Sequence, residues 1–189
     1  MSSFIIRDAR PPDATFLAKC ILAGFHFANF DDLLSDDLSD FLDQLTECEG
    51  REDTLYTYSR TRIAEVDGKP AGALLSYPGE LYKGLRTRTF KEYWPAAFAQ
   101  FAGDEPETDP GEYYLDSLAV HPAYRKQGIG RALLEDGIKI GISQGFNKIA
   151  LVADSEYDHL IRLYESIGFV PAEHRHAFGT DFLRMIYSV

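Results

Sequence analysis

The stretch VHPAYRKQGIGRALLE, Val120 to Glu135, places two glycines two residues apart at the start of a helix. Gly128 and Gly130 stand there just behind Arg125 and Lys126 and beside Arg131. Glycine costs a helix about 1 kcal/mol relative to alanine, so its use here needs a return. A helix opens with backbone N–H groups that lack intrahelical acceptors, and the helix dipole adds positive potential at that end. Glycines let an anion approach that backbone closely. Strand, glycine-containing turn and helix therefore describe a phosphate or pyrophosphate cradle, with tight strand–helix packing as the other reading. Two other phosphate signatures do not fit. A dinucleotide fingerprint would place its third glycine at Leu133, and no G-x-x-x-x-G-K-[ST] occurs in the chain.

Outward from this stretch, the second half is the clearer one. EYYLDSLAV before it reads as a strand, and NKIALVA after it as a buried strand. SEYDHLIRLYESIGF reads as a helix stopped by Gly168, and FVPAEHRHAFG and TDFLRMIYSV as closing strands. In the first half SFIIRDA predicts an edge strand. Asp13 is expected to cap a helix running to about Phe27, and YSRTRIAEVDGKPAGALLSYP predicts a hairpin turning at Asp67-Gly68. Residues 31–53 suit one or two amphipathic helices with a solvated acidic face. Residues 80–112 read as an inserted helical segment that covers the core or lids a pocket. Strands alternating with helices, then late strands, predict an α/β fold (α+β mixed sheet): a central mixed β-sheet flanked by helices in one domain over residues 1–189.

Composition bounds the partners. The net charge is −11, with 26% charged and 45% hydrophobic residues. Such a balance argues against coating nucleic acid or an anionic membrane, and for attraction of cations. No stretch reaches the roughly 20 apolar residues of a membrane helix, and Arg7 and Asp8 interrupt the first apolar run. Cys20 and Cys48 have no metal or C-x-x-C spacing, and His174 and His176 lack a third ligand nearby. The expectation is a cytoplasmic protein without a metal.

The run YYLDSLAVHPAYRKQGIGRALL, Tyr113–Leu134, closely resembles the acetyl-CoA signature of the GNAT superfamily of N-acetyltransferases. LIRLYESIGF, Leu160–Phe169, resembles the second family signature, about 30 residues downstream. The resemblance covers about residues 110–189, with the acetyl-CoA-binding core at about 110–170. It implies the GNAT-type acyl-CoA N-acyltransferase fold and acetyl-CoA as co-substrate. The pyrophosphate would lie on the backbone of Arg125, Lys126, Gln127, Gly128, Ile129, Gly130 and Arg131. The pantetheine arm would pair with Leu118, Ala119 and Val120, whose side chains read as ordinary core.

Tyr164 matches the tyrosine that protonates the departing CoA thiolate. A plain apolar role four residues after Leu160 and three before Ile167 is its alternative. Asp116 stands where some members carry a catalytic carboxylate, with His121 a weaker candidate base and Val120 N–H the oxyanion donor. Tyr157 replaces the asparagine that many members place seven residues before the tyrosine. The implied reaction is direct transfer to an amine of a small molecule or peptide, with a cationic acceptor preferred, by a monomer or homodimer. A CoA-binding regulatory module without chemistry is the alternative. Segments 31–58 and 80–112 are left to shape the acceptor site.

Overall fold

The computed structural model describes residues 3–24 and 36–189. Seven strands lie in the hydrogen-bonded order β1-β2-β3-β4-β5-β7-β6: β1 Phe4–Asp8, β2 Thr61–Val66, β3 Lys69–Pro78, β4 Tyr113–Val120, β5 Lys148–Asp154, β6 Val170–Ala177 and β7 Thr180–Ser188. The helices are α1 Ala14–Gly24, α2 Asp36–Glu49, α3 Tyr82–Tyr93, α4 Pro95–Gln100, α5 Ile129–Ser143 and α6 Asp158–Ile167. This is the mixed, helix-flanked sheet expected from the sequence. The chain falls into two compact units, residues 1–76 with 117–137 and residues 77–116 with 138–189.

In the first unit β1, β2 and β3 run antiparallel, with Ile6 opposite Ala64 and Ile63 opposite Ala73. Asp67 and Gly68 both take positive φ, 47° and 75°, the geometry of a two-residue hairpin turn whose twist suits the flanking strands. Leu17 and Cys20 of α1 bury against Ile63, Ala73 and Ala9. Asp13 acts differently from the expected helix cap. It sits inside a short 3-10 turn, Pro11–Asp13, and reaches back to accept from the Arg10 backbone N–H at 2.7 Å. Arg7 grips the same carboxyl at 2.8 Å and Glu65 at 2.7 Å, fixing α1 to the sheet edge. Burial pushes the Asp13 carboxyl up, but the hydrogen bonds from Arg7 and the Arg10 backbone, with the charges of both arginines, together outweigh it and hold the group below its ordinary range.

Helix α1 is described to Gly24, so the expected end near Phe27 lies outside the described residues, as do residues 31–35 of the predicted acidic helices. In α2, Asp40, Asp43 and Glu47 form the solvated face while Leu45 and Cys48 are buried; Glu49 is an acid that goes inside.

In the second unit β5 pairs antiparallel with β7 along its length, from Lys148 opposite Ser188 to Asp154 opposite Phe182. The start of β4 pairs parallel with β5, Tyr113 opposite Ile149. Arg184 of β7 is only 5% exposed and pairs with Glu112, with Glu173 at 2.7 Å and with Asp109 at 3.4 Å. The inserted segment is helical, as predicted, through α3 and α4. Its two ends are stapled together, because Gly79 N–H donates to the Glu112 carbonyl at 2.8 Å. A Cβ on Gly79 would lie 2.3 Å from the Asp109 carbonyl oxygen and 2.8 Å from Thr108 Oγ1. Gly79→Ala is therefore expected to cost about 1–3 kcal/mol in chemical denaturation, by overpacking against backbone. Gly84→Ala, in the exposed face of α3 with nothing within 4 Å of its Cβ, should stabilise by about 0.5–1 kcal/mol.

Candidate active site

The turn singled out in the sequence is built in the first unit. Ala71 O accepts from His121 N–H at 2.9 Å, which holds the end of β4 against β3. Gly72 lets α5 press in: a Cβ there would sit 3.0 Å from Ala119 O, 3.1 Å from Ile129 Cγ2 and 3.3 Å from Leu133 Cδ1. Ile129, Leu133 and Leu134 are buried and fix the first turns of α5. His121 Nδ1 accepts from Ala123 N–H at 3.2 Å, so this ring caps the 3-10 turn Pro122–Tyr124. Arg125 Nε donates to Val120 O at 3.1 Å.

The backbone then reverses twice, with φ of 60° at Lys126 and 83° at Gly128. Gly128 O accepts from Ala132 N–H at 3.0 Å, making Gly128 the residue from which the helix starts. Its positive φ is why glycine stands there. Gly130 is different. A Cβ on it would meet Val120 Cγ2 at 3.7 Å and Leu118 Cδ2 at 3.9 Å, ordinary contacts, so packing does not demand glycine. Arg125 and Lys126 are exposed, Gln127 is half-buried, and Arg131 lies 3.7 Å from Glu135.

Leu118, Ala119 and Val120 are all half-buried rather than core, a correction to their reading from sequence. Along β4 burial is complete at Tyr113, Tyr114 and Leu115 and relaxes from Asp116 onward. Alternating apolar residues cannot reveal such a change of cover along one strand.

Tyr164 and Asp116 both belong to the second unit. Tyr164 is 7% exposed, its ring edge-on to Phe169 at 6.2 Å. Its carbonyl accepts from Gly168 N–H at 3.2 Å and Phe169 N–H at 3.1 Å, closing α6 on a left-handed Gly168 with φ of 114°. Burial pushes the Tyr164 hydroxyl up to about 12, which keeps it a proton donor through the neutral range. Tyr157, which replaces the family asparagine, precedes α6 with its ring edge toward His159.

Asp116 accepts a hydrogen bond from the buried Tyr77 hydroxyl. Tyr77, Tyr114 and Tyr82 are at most 3% exposed, and their rings meet edge-on, Tyr77 to Tyr114 at 5.8 Å and Tyr82 to Tyr114 at 6.3 Å. Burial, then the charge of Asp116, raises the Tyr77 hydroxyl well above its usual value. Into this mesh comes Glu107, a residue the sequence did not single out. Five acids lie between residues 104 and 112, and no periodicity says which one turns inward. Glu107 is half-buried, and the charge of Asp116 and the hydroxyl of Tyr82 bear on its carboxyl. Burial, then the charge of Asp116, pushes it up to about 8, against the opposing pull of Tyr82 and of the Arg86 charge.

His176 Nδ1 lies 2.7 Å from Asp181 on the exposed hairpin. Among the described residues no group of three or more His, Cys, Asp or Glu could hold a metal ion, and no helix is long and apolar enough to cross a membrane.

Residues 27–169 match the model of the acetyltransferase (GNAT) family. The chain belongs to the GNAT acetyltransferase family. A solved acetyltransferase superposes on it with a TM-score of 0.76 at 26% identity, covering 98% of this chain and 99% of that one. An N-acetyltransferase from Staphylococcus aureus Mu50 does so with a TM-score of 0.76 at 24% identity, over 96% and 99%. Mycothiol acetyltransferase of Geodermatophilus obscurus is 29% identical over 66% of this chain and 36% of its own length. That of Thermobispora bispora is 35% identical over 41% of this chain and 25% of its own. This GNAT chain thus spans well under half the length of those curated relatives.

Proposed function

We propose that this GNAT protein is an acetyl-CoA-dependent N-acetyltransferase that moves the acetyl group directly to an amine of a small molecule or peptide. The observation that carries the reading is the turn from Arg125 to Arg131. It gives a positive-φ glycine at a helix start, and a second glycine that packing does not require. In this reading the backbone N–H groups of the turn hold the pyrophosphate, and Arg125, Lys126 and Arg131 add positive charge around it. The half-buried Leu118, Ala119 and Val120 offer the pantetheine arm a strand edge, and Val120 N–H faces the developing oxyanion.

Tyr164 protonates the departing thiolate. A thiol leaves with a pKa of about 8.5, and a neutral phenol can hydrogen-bond and then protonate the charge as it develops. Asp116 serves as the base for the acceptor amine. Direct transfer fits the two cysteines, which are both buried, Cys20 with its thiol pushed up by burial and therefore un-ionised. The net charge of −11 favours a cationic acceptor.

Calorimetric titration with acetyl-CoA and with CoA tests the cradle. The wild type is expected to bind at micromolar concentration, and Gly128→Glu to bind neither. Gly130→Ala should keep the thermal midpoint while weakening binding about tenfold or more, because its Cβ makes only ordinary contacts with Leu118 and Val120 yet takes up space this reading gives to the cofactor. No binding by the wild type overturns the reading, and equal affinity in Gly130→Ala removes Gly130 from the cradle. An amine screen with free-thiol detection then supplies an acceptor. With it, Tyr164→Phe should lower kcat by about 10²-fold or more while acetyl-CoA affinity stays unchanged. Binding without turnover of any amine would make the protein a CoA-binding module.

A further inference from the structure

The hydroxyl of Tyr77, on β3, donates to a carboxylate oxygen of Asp116, on β4. The core leaves this donor no freedom. Tyr77 is fully buried, its ring lies edge-on to Tyr114 at 5.8 Å, and Tyr114, fully buried as well, meets Tyr82 of α3 edge-on at 6.3 Å. Two residues beyond Tyr77, Gly79 N–H donates to Glu112 O at 2.8 Å, which holds the end of β3 beside the start of β4. A phenol set among packed rings cannot swing away from its acceptor, so packing imposes the hydrogen bond.

The acceptor of that bond has different surroundings. Tyr113, Tyr114 and Leu115 are buried, and Asp116 is the first half-buried residue of β4. A carboxylate in such a place is pulled two ways. Loss of water favours its neutral form, whereas a hydrogen bond donated to it favours the charged form. Other groups bear on the pair. The charges of Asp116 and of Glu107 in the inserted segment act on each other, the Asp116 charge is felt by Tyr82, and Arg86 of α3 acts on Glu107 and Tyr82. Burial and the Glu107 charge thus oppose ionised Asp116, and the Tyr77 bond supports it. Burial and the Asp116 charge in turn raise the Tyr77 hydroxyl well above its usual value, so it stays a donor through the neutral range.

We propose that Tyr77 is the positioning residue of the base: its hydroxyl fixes the Asp116 carboxylate and keeps it ionised to receive a proton from the acceptor ammonium. The inference rests on the proposed role of Asp116 in acetyl transfer and adds a residue too buried to touch the substrate. One ammonium N–H bond breaks, its electron pair stays on nitrogen, and the proton passes to Asp116 and then to solvent. The neutral amine attacks the thioester carbon, the C–S bond breaks, and sulfur leaves with the electron pair and takes the Tyr164 proton. The surplus proton of the amide nitrogen restores Tyr164 through water. The Tyr77 proton stays on its own oxygen throughout.

The direction with pH follows. Removing the hydroxyl leaves burial and the Glu107 charge unopposed, so Asp116 takes up its proton at higher pH. Tyr77→Phe should therefore lose most activity on the acid side and regain much of it as pH rises. A packing defect alone would lower activity by one factor at every pH.

Carbon NMR on labelled protein reads the pair without turnover. In the wild type the Asp116 carboxyl carbon and the Tyr77 ring Cζ should titrate together, and Cζ should lose that step in Asp116→Asn. In Tyr77→Phe, which keeps the ring, the Asp116 midpoint should rise by about one pH unit or more. A Tyr77 signal that does not follow Asp116, or an unmoved Asp116 midpoint, overturns the proposal. With the acceptor from the amine screen, the ratio of wild-type to Tyr77→Phe kcat/KM should be about tenfold or more below both midpoints and fall toward one at the alkaline end. In the Asp116→Asn background Tyr77→Phe should change kcat/KM by less than about twofold. A ratio flat across pH, or the full effect of Tyr77→Phe without Asp116, overturns the positioning role. Coupled titration with no turnover of any amine supports the pair and counts against the acetyl-transfer reading. Circular dichroism confirms that each near-isosteric variant is folded, and the wild-type titration needs no change at Tyr77.

Discussion

A carboxylate taken out of water costs several kcal/mol unless its charge is answered, and the segment from Asp104 to Glu112 has to meet that condition repeatedly. Asp104 does so by accepting from Phe178 N–H at 2.7 Å, while the more exposed Asp109 pairs with Arg175 at 2.8 Å. Glu112 does so through Arg184, buried on β7. The result is a segment tied by charge to α3, β6 and β7. Glu107 is the member of the group on which the strongest charge effect comes from another acid, Asp116.

The first unit works under a different constraint, that of close approach. Gly72 lets Ile129 and Leu133 come within about one atomic contact of β3, and the turn before α5 is held at Val120 by Arg125 and at Ala71 by His121. Backbone groups, rather than side chains, are what this arrangement presents. A backbone site depends on where glycine is allowed and where a helix begins, so it writes itself into the order of residues.

That difference explains what could be read in the sequence. The strand–turn–helix of Val120–Glu135, the stop at Gly168 and the hairpin at Asp67-Gly68 were legible because each depends on a local conformation that few residue types adopt. The helical insertion was legible as helix. The role of its acidic end was not, because GDEPETDPGE looks like a solvated loop until Arg175, Arg184 and Tyr82 arrive from elsewhere. Asp13 misled in a smaller way: a residue type that commonly caps helices is recruited by Arg7, which lies before it on β1. Leu118–Val120 resembled core because apolar composition says nothing about what covers a strand.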